Sequence, residues 1–194
     1  MKTYKQTIES NRLVIEYDDN AESPREWSNL GYFITVDSNY ISPDNIQWLY
    51  DIVKETGEEA GSQEEHIEFI KKRINEISDE KVVAIYPITK YEHSGISYSL
   101  GNRFGFDYSN NGFYIITDKT AKEIGVKKKN FEKITSQEIE AYTQWLNGEI
   151  YRFTLYDDNG EVEDDCGGFY DIEDIKEHLP EEWKGENMAD YLIN

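Results

Sequence analysis

Two consecutive amphipathic helices are the feature of the sequence that most limits the fold. The first is predicted to begin at Ser42-Pro43, where Ser42 can cap it and Pro43 fits the first turn. Four of its apolar residues recur at helical spacing: Ile46, Leu49, Tyr50 and Val53. The second is predicted over residues 63–77, with four isoleucines on one face: Ile67, Ile70, Ile74 and Ile77. Both stripes need an apolar surface to cover.

Short apolar runs elsewhere in the chain predict the sheet that these helices cover. The predicted strands are residues 11–17, 30–36, 82–88, 96–100 and 112–117. Residues 82–88 are almost continuously apolar, which is typical of a strand buried on both faces. Helices are also predicted over residues 118–124 and from a capping box at residues 135–138 to Asn147-Gly148.

The predicted fold class is therefore α+β. We expect a mostly antiparallel sheet with amphipathic helices packed on one face and an acidic C-terminal hairpin. Residues 1–180 fit a single domain, and residues 181–194 form a polar tail that can pack on it.

The pair Asn159-Gly160 gives the sharpest local prediction, a hairpin with a two-residue type I′ turn. This turn fixes three pairs across the hairpin: Asp158 with Glu161, Tyr156 with Glu163, and Thr154 with Asp165. One face would then be acidic. The other would point four residues toward the core: Phe153, Leu155, Val162 and Cys166.

Charge is the most unusual feature of the composition. Forty acidic residues against 20 basic ones give a formal net charge of −20, and 14 of the acidic residues lie between Asp157 and Asp190. Such a surface repels nucleic acids and anionic membranes, whereas it attracts basic proteins. The predicted partner-binding residues are Asp158, Glu161, Glu163, Asp165, Glu173 and Asp174. The alternative is that the acidity only keeps the protein soluble.

An acidic hairpin can also imitate a nucleic-acid backbone. Alternate carboxylates on one strand lie about 6.7 Å apart, whereas the phosphates of one DNA strand advance by about 3.4 Å. One row is therefore too sparse, but two rows, one from the hairpin and one from the short helix predicted after Asp171, approach the required density.

Catalytic, cofactor-binding and metal-binding residues are not predicted. The sequence Asp157-Asp158-Asn159-Gly160 lacks the spacing of a calcium loop, and no nucleotide-binding or hydrolase motif is present. Cys166 follows two aspartates, which oppose thiolate formation, so it is interpreted as structural. The segment His93-Ser94-Gly95 is the most site-like of the histidine positions, and His66 is interpreted as a surface residue.

The location predicted from these features is the cytoplasm. The single cysteine, Cys166, excludes an internal disulfide and suits a reducing compartment. Residues 1–10 lack the apolar region of a signal peptide, and no apolar run approaches the roughly 20 residues of a membrane span.

Several segments resemble a family of small acidic proteins carried by bacteriophages and plasmids. The segments are residues 24–31 (PREWSNLG), 92–96 (EHSGI), 112–115 (GFYI), 145–151 (WLNGEIY) and 165–170 (DCGGFY). In related proteins the position before Gly168 is expected to be bulkier, commonly aromatic, and Gly167 departs from this pattern.

The resemblance implies an origin in a mobile element and an action in the bacterial cytoplasm. Small acidic proteins of this kind often inhibit host-defence enzymes by occupying basic nucleic-acid channels. The leading hypothesis is thus an inhibitor of a CRISPR effector or a restriction enzyme that acts by binding, without a cofactor. Two alternatives remain open: a metal-assisted nuclease or hydrolase using clustered carboxylates with His93, and an acidic accessory protein without a basic partner.

Overall fold

A computed structural model describes residues 12–37 and 41–193. The predicted start of the first strand at Asn11 and the sequence before it lie outside the described residues. The strands are β1 (Arg12–Tyr17), β2 (Tyr32–Thr35), β3 (Val82–Glu92), β4 (Ile96–Leu100), β5 (Tyr108–Thr117), β6 (Tyr151–Tyr156) and β7 (Val162–Phe169). The helices are α1 (Gln47–Glu59), α2 (Gln63–Ile77), α3 (Asp118–Ile124) and α4 (Phe131–Leu146).

The chain forms two compact units. Unit 1 comprises residues 1–23 and 144–194, and unit 2 comprises residues 24–143. Each unit has its own antiparallel sheet, with strand order β1-β6-β7 in unit 1 and β2-β5-β3-β4 in unit 2. The α+β class predicted from the sequence is confirmed. A single domain over residues 1–180 stays a prediction, because it depends on whether the two units unfold together.

Unit 2 is built on the two amphipathic helices. Ile34, Phe113 and Ile115 of the sheet form one buried cluster with apolar residues of α1 and α2. Phe33 lies next to Ile34 in β2 and therefore points to the other face of the sheet. There its ring contacts that of Tyr142 in α4, with 5.6 Å between the ring centres.

β3 is longer and more exposed than the strand predicted over residues 82–88, which was expected to be buried on both faces. The strand is longer than predicted and reaches Glu92. Val83 is 37% exposed, and the following residues up to Pro87 are only half-buried. The covering helices thus leave part of this strand open to solvent, and the apolar run alone does not reveal this.

Unit 1 buries the C-terminal tail in its core. Its buried cluster combines Ile15 and Phe153 of the sheet with tail residues Trp183, Met188 and Tyr191. The indole of Trp183 has no solvent exposure. The backbone N–H of Ile193 donates to the carbonyl of Ile15 at 2.8 Å, so the tail end is held against β1.

Candidate functional site

The six predicted partner-binding residues all lie in unit 1. Asp158 is in the loop between β6 and β7, and Glu163 and Asp165 are on β7. Glu161 directly precedes that strand. Five of the six residues are exposed, and only Glu173 is half-buried. We call residues 158–165 the acidic hairpin.

The loop of the acidic hairpin is longer than the predicted two-residue turn. The N–H of Asp157 donates to the carbonyl of Glu161, and the N–H of Gly160 donates to the carbonyl of Asp157. Gly160 has φ 80°. This is a three-residue loop in which a tight turn is followed by a left-handed glycine. Asp158 and Glu161 therefore do not face one another as a cross-strand pair.

The side chain of Asp157 stabilises this longer loop. Its carboxylate accepts the N–H groups of Asn159 and Glu161, at 2.9 and 2.8 Å. The hydrogen bond from the Glu161 N–H is the main reason why the pKa of Asp157 lies below its ordinary value. Gly160 has a positive φ in the observed loop, and the predicted type I′ turn also requires one. The asparagine–glycine pair alone therefore does not distinguish the two loops.

The register of the hairpin is correct in its middle and shifted near the loop. Thr154 pairs with Asp165 as predicted, but Tyr156 pairs with Val162 instead of Glu163. A bulge near Glu163 absorbs the extra residue. Because of it, Val162 is 59% exposed and does not point to the core. Cys166 is half-buried and packs against the core of unit 1, in agreement with the structural interpretation.

Residues Glu161 to Asp165 are consequently all exposed, and four of the five are acidic. Four of the six predicted partner-binding residues have no ion-pair partner among the described residues: Asp158, Glu161, Glu163 and Asp174. The acidic surface is therefore wider than the single alternating row that the sequence predicts.

Two of the six predicted residues have a cationic partner within unit 1. The Asp165 carboxylate lies 2.5 Å from a guanidinium nitrogen of Arg152, and this contact is the main reason why the pKa of Arg152 is raised. Glu173 pairs with Lys176 and also accepts the backbone N–H of Met188 at 3.1 Å. These two carboxylates contribute to internal structure and are less available to a partner.

β7 is an edge strand of the three-stranded sheet. The N–H of Asp165 donates to the carboxylate of Asp164 at 2.9 Å, so an acidic side chain occupies one backbone donor of the strand. Charged residues on an edge strand also oppose pairing with another chain. The acidity of β7 thus favours recognition by side-chain charge over recognition by an added strand.

Gly167 is explained by its contact with Asp18. A Cβ atom at position 167 would lie 2.3 Å from a carboxylate oxygen of Asp18. The same oxygen accepts the N–H of Gly168 at 3.0 Å. Asp18 therefore occupies the space that a bulky side chain before Gly168 would need, and it ties the loop after β1 to the end of β7.

A buried polar network in unit 2 is the main feature that was not predicted from the sequence. Arg25 forms two hydrogen bonds with the Asp44 carboxylate, at 2.8 and 2.7 Å, and their side chains are only 5% and 10% exposed. Arg25 also donates to the carbonyl of Gly31 at 2.8 Å. The Tyr114 hydroxyl donates to Glu138 and accepts the N–H of Gly31 at 2.9 Å.

This network fixes the segment of residues 24–31. A Cβ atom at Gly31 would lie 2.5 Å from the carbonyl oxygen of Ile115, so the segment sits directly against β5. Burial is the main reason why the pKa of Tyr114 is raised, and the phenol is neutral at physiological pH. The network has satisfied partners throughout, as expected of a structural anchor.

His93 lies at the turn between β3 and β4 and is largely exposed. Its Nδ1 atom is 3.8 Å from a carboxylate oxygen of Asp107, and its side chain is 70% exposed. His66, interpreted as a surface residue, is instead half-buried. Its ring contacts that of Phe113 and its Nε2 lies 2.8 Å from the carbonyl of Val53.

Within residues 12–37 and 41–193, no group of three or more His, Cys, Asp or Glu side chains is arranged to hold a metal ion. In the same ranges, no helix combines the length and apolar character needed to cross a membrane. The clustered carboxylates of the hairpin are therefore spread over a surface and do not converge on a point.

No protein-family model matches the chain, and the comparisons with curated proteins and with solved structures also find no match.

Proposed function

We propose that the chain binds a basic, nucleic-acid-handling protein of a bacterial defence system and blocks its nucleic-acid channel. The observation that carries the proposal is the acidic hairpin, where four of five consecutive exposed residues are carboxylates. A CRISPR effector or a restriction enzyme is the proposed partner. Binding is stoichiometric and involves no chemical step.

The distribution of charge supports unit 1 as the binding unit. Unit 1 contains 20 acidic residues against six basic ones, a formal charge of −14, whereas unit 2 contains 20 against 14, or −6. Like charges placed close together destabilise the free protein. A basic partner relieves this repulsion, and it also gains electrostatic steering during association.

The test is complex formation between the purified protein and a panel of CRISPR effectors, each with and without guide RNA, and restriction enzymes. Size-exclusion chromatography across a salt series would measure it. We expect a one-to-one complex that weakens with salt, together with inhibition of nucleic-acid cleavage. If every effector and enzyme in the panel elutes separately at low salt, the proposal is wrong for these partners.

The most informative variant reverses Asp158, Glu161 and Glu163 to lysine. Asp165 is left unchanged because a lysine there would face Arg152 and disturb the sheet. We expect binding to weaken by at least about tenfold, since each reversal replaces attraction by repulsion. The matched control reverses three exposed glutamates of the helices in unit 2, namely Glu58, Glu68 and Glu140.

The control has the same change in net charge, so only the position of the charges differs. Equal weakening by both triple variants would show that total charge, and not the acidic hairpin, determines binding. Substoichiometric action that a chelator abolishes would favour a metal-assisted enzyme instead.

A further inference from the structure

Three asparagines of the chain are directly followed by glycine. The pairs are Asn111-Gly112, Asn147-Gly148 and Asn159-Gly160. Glycine has no Cβ atom to shield its backbone nitrogen, so this nitrogen can approach the side-chain carbonyl carbon of the preceding asparagine. The three pairs are equivalent in sequence, and their surroundings in the fold decide which of them can react.

The reaction is deamidation through a cyclic imide, and water is its only other reactant. The glycine nitrogen loses its proton to a base in the solvent and bonds to the asparagine Cγ, while the Cγ–Nδ2 bond breaks and the amide nitrogen leaves, protonated, as ammonia. Water then opens the imide. Cleavage at Cγ gives aspartate, whereas cleavage at the main-chain carbonyl carbon gives isoaspartate, in which the chain continues through the side chain. Both products carry an ionised carboxylate in place of a neutral amide.

Asn111-Gly112 is held within the sheet of unit 2. Gly112 is buried in β5 and pairs with Thr35 of β2 and with Ile88 of β3. A Cβ atom at Gly112 would lie 3.1 Å from side-chain atoms of both partners, so the backbone has little room to move. The Asn111 amide also donates to the carbonyl of Val36 at 2.6 Å. Reaction at this pair requires β5 to separate from both neighbouring strands.

Asn147-Gly148 ends helix α4 and is held by its last turn. The N–H of Gly148 donates to the carbonyl of Trp145 at 3.0 Å, and the N–H of Glu149 donates to the carbonyl of Gln144 at 2.8 Å. These two hydrogen bonds form a Schellman motif, with Gly148 at φ 69°. Ile150 follows and is buried, so the segment is fixed on both sides. The nitrogen of Gly148 is released only when the helix end unwinds.

Asn159-Gly160 lies at the tip of the acidic hairpin, and both residues are exposed. Among the described residues, the hydrogen bonds of this pair all go to Asp157. The carbonyl of Asp157 accepts the N–H of Gly160 at 3.0 Å. Its carboxylate accepts the side-chain amide and the backbone N–H of Asn159, at 3.2 and 2.9 Å. The pair is therefore restrained by one neighbouring residue and not by a sheet or a helix.

We propose that Asn159 is the preferred deamidation site of the folded protein and that Asp157 slows the reaction there. Exposed loops open at a lower cost in free energy than helix ends and sheets do, so the nitrogen of Gly160 is released most often. Asp157 opposes the reaction because it holds both the nitrogen and the amide that must meet. Its carboxylate also repels the negative charge that develops on the nitrogen. The reaction needs no partner protein, so this proposal stands independently of the proposed function.

Either product changes the acidic hairpin. Aspartate at position 159 adds one negative charge, which takes the formal charge of unit 1 from −14 to −15. Isoaspartate inserts an extra carbon into the main chain of the tight loop. This moves the N–H of Gly160 away from the carbonyl of Asp157, and the geometry of such a loop sets the register of the strands that it joins.

The test is incubation of the folded protein in mildly alkaline buffer, followed by digestion with trypsin and mass spectrometry. Trypsin cleaves after Arg103, Lys133 and Arg152, so each pair lies in a different peptide of the same sample. Asn159 should convert at least about fivefold faster than Asn111 and Asn147, because its loop opens most easily. In concentrated urea, where the fold is lost, the three rates should become similar. Electron-transfer fragmentation should identify isoaspartate beside aspartate at position 159.

Asp157→Ala tests the restraint on Asn159. The substitution removes the carboxylate that holds the amide, so conversion at Asn159 should become at least about threefold faster. The matched control is Asp158→Ala, which removes an exposed carboxylate next to it in the same loop. The control loses the same charge but no hydrogen bond to the pair, so its rate should stay within about twofold of the wild type. Circular dichroism would check that both variants are folded.

Three results would overturn the proposal. Conversion of Asn111 or Asn147 in the folded protein at the rate of Asn159, or faster, would show that the hairpin is not the preferred site. A rate in Asp157→Ala that is unchanged or lower would remove the restraining role of Asp157. Aspartate at position 159 without isoaspartate would show direct hydrolysis of the amide, which excludes the imide route.

Discussion

At the residue scale, Arg25 shows how one side chain can determine the position of a whole segment. It is buried, charged and hydrogen-bonded to Asp44 and to the carbonyl of Gly31. A buried guanidinium persists only with good partners, because removing a charge from water is costly. Arg25 has such partners, and its charge is neutralised mainly by Asp44.

Replacing Arg25 by methionine should therefore be strongly destabilising. The substitution leaves the carboxylate of Asp44 buried without its cation, and breaking a buried pair in this way costs about 3–5 kcal/mol. Urea denaturation measures the free energy of unfolding. The control Arg73→Met, at an exposed position of α2, should change it by less than about 0.5 kcal/mol. Similar small losses in both variants would contradict the anchoring role of Arg25.

His66 makes the stability of unit 2 dependent on pH. Burial lowers the pKa of His66 below its ordinary value, although the hydrogen bond with the Val53 carbonyl acts in the other direction. The unfolded chain therefore binds a proton more readily than the folded protein. This contribution to stability is complete above the unfolded pKa of about 6.5 and is lost as pH falls through that value toward the folded pKa.

We expect the melting temperature to fall between pH 7.5 and pH 5.5, and His66→Gln should reduce the fall. Glutamine can still donate to the Val53 carbonyl but does not titrate. Circular dichroism melts at several pH values measure the effect. His178 is exposed and lies in unit 1, so His178→Gln is the control for the loss of a histidine as such. An identical fall in the wild type and in His66→Gln would rule out His66 as its source.

At the scale of single elements, the sequence predicted best where local signals decide the structure. Helix α2 has the predicted bounds, and Ser62 caps it by accepting the N–H of Glu65. Strand β4 and helix α3 also have the predicted bounds. In these elements the apolar pattern and the capping residues agree, so no tertiary contact has to override them.

Two predicted helix starts were wrong because the predicted capping residue makes other contacts in the fold. Ser42 does not cap α1, which begins at Gln47, because its hydroxyl accepts the N–H of Thr35 and donates to the carbonyl of Phe33. Thr135 does not start α4, because it is buried in the interior of a helix that begins at Phe131. A capping pattern by itself does not reveal that its residue lies in a core.

The candidate sites were predictable only in part, for the same reason. The acidic hairpin follows from neighbouring residues, so its location and its central pairing were predictable. Arg25 and Glu138 are 113 residues apart in sequence, yet they meet in the buried network of unit 2. Sequence periodicity carries no information on which distant residues meet.

The C-terminal tail is an element whose deletion gives a clear prediction. Its sequence is polar, but Trp183, Met188 and Tyr191 are buried in the core of unit 1. A chain that ends at Pro180 should lose the fixed structure of unit 1. The truncation removes three large buried side chains, and the loss of each lowers the free energy of unfolding by about 2–5 kcal/mol or more. The near-ultraviolet circular dichroism of the truncated chain measures this loss.

A second variant separates the tail core from the tail surface. Trp183→Ala in the full-length chain should reproduce much of the destabilisation, whereas Glu182→Ala, at an exposed neighbouring position, should not. If the truncated chain kept native signals and stability, the tail would be an addition to unit 1 and not part of its core.

At the scale of the whole molecule, the negative charge acts in opposite directions: it destabilises the free protein and favours binding to a basic partner. The free protein carries a net charge of −20, and self-repulsion of this kind destabilises a compact state. Most of the acidic residues of the hairpin form no ion pair with the described residues, and Asp165, which pairs with Arg152, is an exception. Salt screens repulsion between exposed charges over a distance of about 10 Å at 0.1 M.

Sodium chloride should consequently stabilise the free protein while it weakens the proposed complex. Between about 20 mM and about 300 mM salt, we expect the melting temperature of the free protein to rise by a few degrees. The lysine variant of Asp158, Glu161 and Glu163 changes unit 1 from −14 to −8, since each reversal adds two charges. Its melting temperature should be higher at low salt and depend less on salt.

The variant of Glu58, Glu68 and Glu140 changes unit 2 from −6 to 0 and leaves unit 1 at −14. Repulsion grows with the number of like charges that lie close together, so this variant should keep more of the salt dependence than the hairpin variant does. Differential scanning calorimetry of the three proteins gives this order directly. A melting temperature of the wild type that falls with salt would mean that attractive exposed pairs such as Arg152–Asp165 and Lys184–Glu181 outweigh the repulsion. The acidic hairpin would then cost the free protein little, and its charge would need no partner to relieve it.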